Sequence, residues 1–305
     1  MLTHRDISIL DHLARYYVLS RAQIQRLDFP HDNVGRVTRR RLQFLVSHQF
    51  IRRMPLLLTC PTGDSCSGSI YYPARMGLEV LAEHYGDDRY LLATTRTPQP
   101  HRARHWLAVS DTHIALDQAL LLNPQVHCPS FVNEWDVVNP EETEPSKRFR
   151  LYLVIEANKP RLVAAPDGGF LLEVAGHRKV AYLEQDRNTS SVSQIVASKH
   201  KGYAAMEKLG LQRKHFPDET TGSFVVLMIV PSDRRRELLR KAFCGHPGEH
   251  LWRFVTQGDL TPERFLFEPI FYRCDGEAVP LILPGALRTV AVSAHEHVSS
   301  ELVTQ

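Results

Sequence analysis

Seven consecutive residues, Phe224–Val230 ("FVVLMIV"), carry no polar side chain. A strand with one wet face alternates apolar and polar residues, so an unbroken run of this length predicts a strand covered on both sides. That requirement points to a sheet with helices on its faces. The neighbouring sequence supplies them. Residues 190–209 place Ile195, Val196, His200, Tyr203, Ala204 and Met206 at helical spacing, and "SDRRRELLRKAF" is an amphipathic helix capped by Ser232. Before them come strand-like runs: "RFRLYLVIEA", "RLVAAPD", "GFLLEV" and "KVAYLEQD". The helix between the last of these and the apolar strand predicts a right-handed parallel crossover. A further helix starts at about His105, with Trp106, Val109, Ile114, Leu116 and Leu120 mostly inward and His105 and His113 at the surface or capping. An α/β domain over 105–285 is therefore expected. A tail, 286–305, has little hydrophobic pattern, and residues 91–104, rich in Thr, Pro and charge, read as a linker.

The first ninety residues follow another plan. Thr3 and Asp6 are spaced as a capping pair before a helix with Ile7, Leu10, Leu13 and Ala14 inward. Ser20 caps a second short helix that ends before Pro30. Asp32 or Asn33 opens a third, with Val34, Val37, Leu42, Leu45 and Val46 as its apolar face. The turn-rich "PTGDSCSG" separates two strand-like runs, and "ARMGLEVLAEHYG" reads as a last helix, packing behind or joining a dimer. Three helices and a hairpin predict a winged helix-turn-helix, whose third helix enters the major groove of double-stranded DNA.

Charge agrees with that plan. The chain has 305 residues and a net charge of +3, yet residues 1–104 hold 15 Arg, no Lys and 9 acidic residues. Arg forks onto guanine edges and phosphates in a way Lys cannot. Arg36 and Arg40 are candidates for base edges, and Asn33 or Gln43 for adenine. Arg39, Arg41, Arg52 and Arg53 suit phosphates.

The α/β segment carries a different chemistry. Side chains at i and i+2 on a strand share a face, so Glu184 and Asp186 point the same way. Asp167 precedes a Gly-Gly turn on a neighbouring run. If the two strands pair, Asp167, Glu184 and Asp186 meet in one cleft, where like charges repel and a divalent cation relieves them. Oxygen donors suit Mg²⁺ or Mn²⁺. An Asp followed by Glu-x-Lys on a hairpin is the pattern of restriction-endonuclease-like nucleases. Here Asp186 stands at the Lys position, and Lys199 or Lys201 on the next helix can supply the cation. Tyr203, four residues after Lys199, is a candidate nucleophile of relaxase type.

The pieces "LTHRDISILDHLARYYVLSRAQIQRL", "RRRLQFLVSHQFIRR", "HWLAVSDTHIAL" and "PDGGFLLEV…AYLEQDRNT" together resemble the replication-relaxation family of plasmids, integrative elements and phage, over roughly residues 1–210. The resemblance implies a winged helix joined to a nuclease-like α/β domain. It also implies a role in plasmid replication control or DNA mobilisation, with a replication or conjugation protein as a partner.

No apolar run approaches the 18 residues needed to span a membrane, and the first residues lack the layout of a secretory signal. The five cysteines are scattered, which reads as reduced thiols in a cytoplasmic protein, although Cys60 and Cys66 can clip a loop or share a metal with a histidine. Three functions fit: a metal-dependent nicking or cleaving enzyme, a regulator that keeps a nuclease fold as a binding platform, and a tyrosine relaxase.

Overall fold

The structure is a computed structural model that describes residues 1–59, 65–157 and 161–283. The expected tail and the Cys60/Cys66 clip, which needs Cys60, lie outside the described residues. The chain divides into two compact units, 1–113 and 114–305.

The first unit opens with α1 (His4–Tyr16), β1 (Leu19–Ser20), α2 (Arg21–Asp28) and α3 (Arg36–Ser47). A hairpin, β2 (Ile51–Thr59) and β3 (Ser65–Pro73), leads into α4 (Arg75–Tyr85). The strands form one antiparallel sheet in the order β1-β3-β2. The caps are those the sequence predicts. Asp6 accepts the Thr3 N–H at 2.5 Å, and the Ser20 hydroxyl accepts the Gln23 N–H at 3.2 Å. The entry to α3 differs. Asp32 accepts both the N–H and the hydroxyl of Thr38 at 2.7 Å, while Gly35 takes a left-handed φ of +66°. The helix therefore starts at Arg36. Thr38, Leu42 and Leu45, spaced four and three apart, form its buried face. Val34 falls in the preceding turn and Val37 on another side of the helix, so both are exposed rather than part of the apolar face.

Helix α5 (Pro100–Leu122) starts five residues earlier than expected, and the division between the units falls inside it, at 113/114, not in 91–104. His113, expected at the surface, is buried beside Tyr16.

The second unit contains β4 (His127–Asn133), α6 (Pro145–Arg148), β5 (Leu153–Glu156), β6 (Leu162–Ala164), β7 (Gly168–Val174) and β8 (His177–Gln185). It continues through α7 (Val192–Lys208), β9 (Phe224–Val230), α8 (Asp233–Phe243), β10 (Trp252–Thr256), β11 (Phe271–Tyr272) and β12 (Ala278–Val279). Seven strands form a mixed sheet in the order β12-β11-β10-β9-β8-β7-β4. β8, β9 and β10 are parallel and joined by α7 and α8, as the apolar run requires, and every residue of β9 is buried. The runs "RFRLYLVIEA" and "RLVAAPD" do not join this sheet. Their strands β5 and β6 pair with each other apart from it. One sheet face packs Tyr182, Val226 and Phe254 against Tyr203 and Met206 of α7 and Leu239 and Phe243 of α8. The other packs Phe170, Leu183 and Leu227 against Ala115, Leu116 and Ala119 of α5.

Candidate functional site

The acids sit where the β7–β8 hairpin opens. Gly168 pairs with Leu183, and Asp167 continues the ladder by donating its N–H to the Leu183 carbonyl at 2.9 Å. The Asp167 carboxylate then accepts the Gln185 N–H at 2.7 Å, which holds it against the end of β8. Glu184 alternates with Val180 and Tyr182, so its side chain lies on the sheet face covered by α7. Helix α7, capped by Ser191, brings Lys199 and Tyr203 to it from one helix face. The Lys199 ammonium lies 2.8 and 2.7 Å from the two Glu184 oxygens, and the Tyr203 hydroxyl donates to Oε1 at 2.5 Å. Gly202 lets α7 approach β6, because a Cβ there would stand 2.3 Å from the Val163 carbonyl oxygen.

Burial sets the electrostatics. Glu184 keeps 3% exposure, and its carboxyl is pushed up to about 7, first by burial. The Lys199 charge opposes that rise and the Asp167 charge adds to it. Burial alone would lower the Lys199 ammonium, but Glu184, Asp167 and Glu134 together outweigh it and raise it. Tyr203 is wholly buried, and burial together with the Glu184 charge raises its phenol well above the ordinary value. A phenol held this way donates a hydrogen bond to Glu184.

Asp186 is elsewhere. Its N–H still pairs with Ile229 of β9, but its carboxylate accepts Arg235 Nε and Nη2 of α8 at 2.6 and 3.3 Å and the Asn188 N–H at 3.0 Å. Arg235 also donates to the Ser190 carbonyl at 2.7 Å, so the pair ties the loop after β8 to α8. Strand β8 ends at Gln185, and beyond it the i, i+2 rule no longer fixes which way a side chain turns. Asp167, Glu184 and Asp186 do not bring three oxygens within 4.8 Å of one another. The expected triple cleft is therefore a pair of acids with a lysine. Lys201 is exposed and takes no part in the described bonds to Glu184.

The first unit sorts its arginines in two. Arg36, Arg39, Arg40 and Gln43 are exposed on α3, with Asn33 exposed just before it and Arg52 and Arg53 exposed on β2. Arg41 is not among them. Its guanidinium bridges to the buried Asp6 carboxylate and stacks 4.2 Å from the centre of the Phe44 ring. Burial would raise the Asp6 carboxyl, but Arg41 and Thr3 together hold it below the usual range. Arg41 is thus a structural tie between α1 and α3. A groove of about 690 Å³ lies between the start of α2, α3 and the hairpin. Arg21, Arg39, Gln43, Arg53, Ser69 and Tyr71 line it, and Arg53 Nε donates to the Ser69 hydroxyl at 2.8 Å.

The sequence matches the model of the replication-relaxation family over residues 10–218. The chain belongs to this family. No curated protein and no solved structure matches it significantly. Membership ties the protein to replication and mobile-element processes. The family match takes in α2, α3, the hairpin, β7, β8 and α7, and so the residues described above except Thr3, Asp6, Ile229 and Arg235. Among the described residues, no helix is long and apolar enough to cross a membrane.

Sequence reasoning missed Arg21, Ser69 and Tyr71 in this replication-relaxation protein. Arg21 carried a signal, a cation directly after the Ser20 cap, whereas Ser69 and Tyr71 become neighbours of α3 only through hairpin register. It also missed Arg235, whose run "RRR" reads as a solvated helix face although its middle member keeps 7% exposure.

Proposed function

We propose that this replication-relaxation protein binds double-stranded DNA of a mobile element through its first unit and nicks or cleaves it at Asp167, Glu184 and Lys199. The carrying observation is the groove that Arg39 of α3 and Arg53 of the hairpin line together, beside exposed Arg36 and Arg40. A winged helix-turn-helix uses those two elements on one duplex, the helix for base edges and the hairpin for the backbone. Exposed arginines there match the phosphate charge, so binding weakens steeply with salt.

In the second unit, Asp167 and Glu184 offer the hard oxygen donors that suit Mg²⁺ or Mn²⁺. Their fit rests on charge: the Asp167 carboxylate raises Glu184 further, and a cation between two acids relieves that repulsion. Asp186 is outside the donor set because Arg235 holds its oxygens. An ion held by Asp167 and Glu184 would supply Lewis-acid activation of water and charge stabilisation at a phosphoryl group. Lys199 orients Glu184 and adds positive charge beside the reacting phosphate. Tyr203 fixes one Glu184 oxygen from behind.

A regulator without catalysis is the second reading, and one observation favours it. Both Glu184 oxygens are already satisfied by Lys199 and Tyr203. Supercoiled plasmid incubated with Mg²⁺ or Mn²⁺ separates the two. Relaxed or linear product, lost in Asp167→Asn and Glu184→Gln, supports the enzyme. Intact plasmid, bound with an affinity that Arg36→Glu with Arg40→Glu abolishes, supports the regulator. If the double charge reversal leaves affinity unchanged, the first unit is not the DNA reader.

A further inference from the structure

Val34 and Val37 stand at the start of α3 with 74% and 41% of their surface exposed. What sets these two apart from other exposed aliphatic side chains of the molecule is their place in the chain, next to the exposed Arg36, Arg39 and Arg40. Their exposure is built in. The Asp32 carboxylate holds Thr38 twice, and Gly35 between them adopts a left-handed turn where a Cβ would come 2.7 Å from Gln25 Oε1. The Asp32–Thr38 bonds thus span this turn, and Val34 within it stays outward. Asn33 and Arg36 adjoin the two valines in the chain, Arg40 follows Val37 by three residues on α3, and all three are also exposed.

Such a patch fits a partner that is strongly anionic yet offers small apolar groups between its charges. The major groove of duplex DNA does so: each thymine presents a C5-methyl there, beside the acceptors that Arg and Asn read. RNA does not, because uracil lacks the methyl and the A-form major groove is too narrow for side chains. Resting on the DNA-binding reading above, we propose that Val34 and Val37 contact thymine methyls, which makes them specificity residues for T-containing duplex DNA. Arg36 and Arg40 supply attraction and guanine contacts. The valines add discrimination by burying a methyl against a methyl.

The test uses the full chain. Binding sites are first selected from a random duplex pool, and each thymine of the selected site is then replaced singly by deoxyuridine. One lost methyl contact weakens binding about fourfold, the value of one buried carbon. One or two positions should show this loss, and Val37→Ala or Val34→Ala should bind the thymine and uracil sites equally. Both substitutions lie on the surface, and unchanged thermal melts check that they fold. If the wild type binds DNA but no uracil replacement alters affinity, the valine assignment is overturned and the DNA reading stands. If no duplex binds at all, the DNA reading itself fails. If Val34→Asp with Val37→Asp abolishes self-association in sedimentation and leaves DNA affinity intact, the patch joins two copies of the chain and the assignment is again overturned.

Discussion

Replacing Asp186 with asparagine separates a structural acid from the metal-binding pair. The Asp186 side chain keeps 4% exposure and that of Arg235 8%, so neither charge is screened by bulk water. The intact pair contributes little net stability, because desolvation of both ions offsets their attraction. Removing one partner is another matter. Asp186→Asn leaves the guanidinium buried without a countercharge and weakens the links at 2.6 and 3.3 Å, a loss of about 3–5 kcal/mol. Urea unfolding at neutral pH, followed by tryptophan fluorescence, reads this loss. Trp252 is fully buried in the same unit and reports its transition. The double variant Asp186→Leu with Arg235→Met should lose less than the two single losses together, by roughly 1–3 kcal/mol of coupling. Below the unfolding range, calorimetric titration with Mn²⁺ should find Asp186→Asn like the wild type, whereas Asp167→Asn and Glu184→Gln should bind weakly or not at all. Stability within about 0.5 kcal/mol of wild type would refute the buried-pair argument. So would loss of Mn²⁺ binding in a folded Asp186→Asn protein, which would make Asp186 a ligand after all.

Other perturbations follow from single contacts. His215 is buried with Nδ1 2.9 Å from the Tyr182 hydroxyl, and burial lowers it to about 4. The unfolded chain then binds the extra proton first, so stability is complete above about pH 6.5 and falls by ~3 kcal/mol on the way to pH 4. His215→Asn should flatten that part of a stability-against-pH curve, and an unchanged slope would clear His215 of the effect. Arg41→Ala should cost the first unit ~3 kcal/mol in denaturant, since it strands the buried Asp6. Arg40→Ala, which is exposed, should leave melting unchanged and weaken DNA binding, and the reverse pattern would show the two roles exchanged. Gly202→Ala drives a methyl into the Val163 carbonyl and should destabilise by about 1–3 kcal/mol in urea while displacing Lys199. A neutral effect would mean that β6 yields freely.

Features fixed by neighbours in the chain were legible. The run Phe224–Val230 announced a strand buried on both sides, and Ser20 and Ser232 announced helix starts, because a cap and its donor lie three residues apart. Asp167 before Gly-Gly suggested a turn, but Gly168 and Gly169 instead open β7, and the hairpin turns at Ala175–Gly176, where both residues have positive φ. Partners far along the chain were not legible. Arg41 reaches Asp6 across 35 residues and Arg235 reaches Asp186 across 49, and no local spacing records either. Strands β11 and β12 span two residues each, too short for an alternation to register. Val34 and Val37 were misplaced for a subtler reason. Their spacing suits a helix face, but Gly35 breaks the helix between them.

Strand β8 is antiparallel to β7 on one side and parallel to β9 on the other. The two acids therefore come from a short-range hairpin, while Lys199 and Tyr203 arrive with the crossover that closes the first parallel pair. A chain in which α7 has come loose keeps its negative half and loses its positive half. Transient opening of that one helix would bare Glu184 to water, return its carboxyl toward ordinary acidity and leave two anions side by side. The moment of docking, rather than the hairpin itself, is when this part of the molecule acquires its balance of charge.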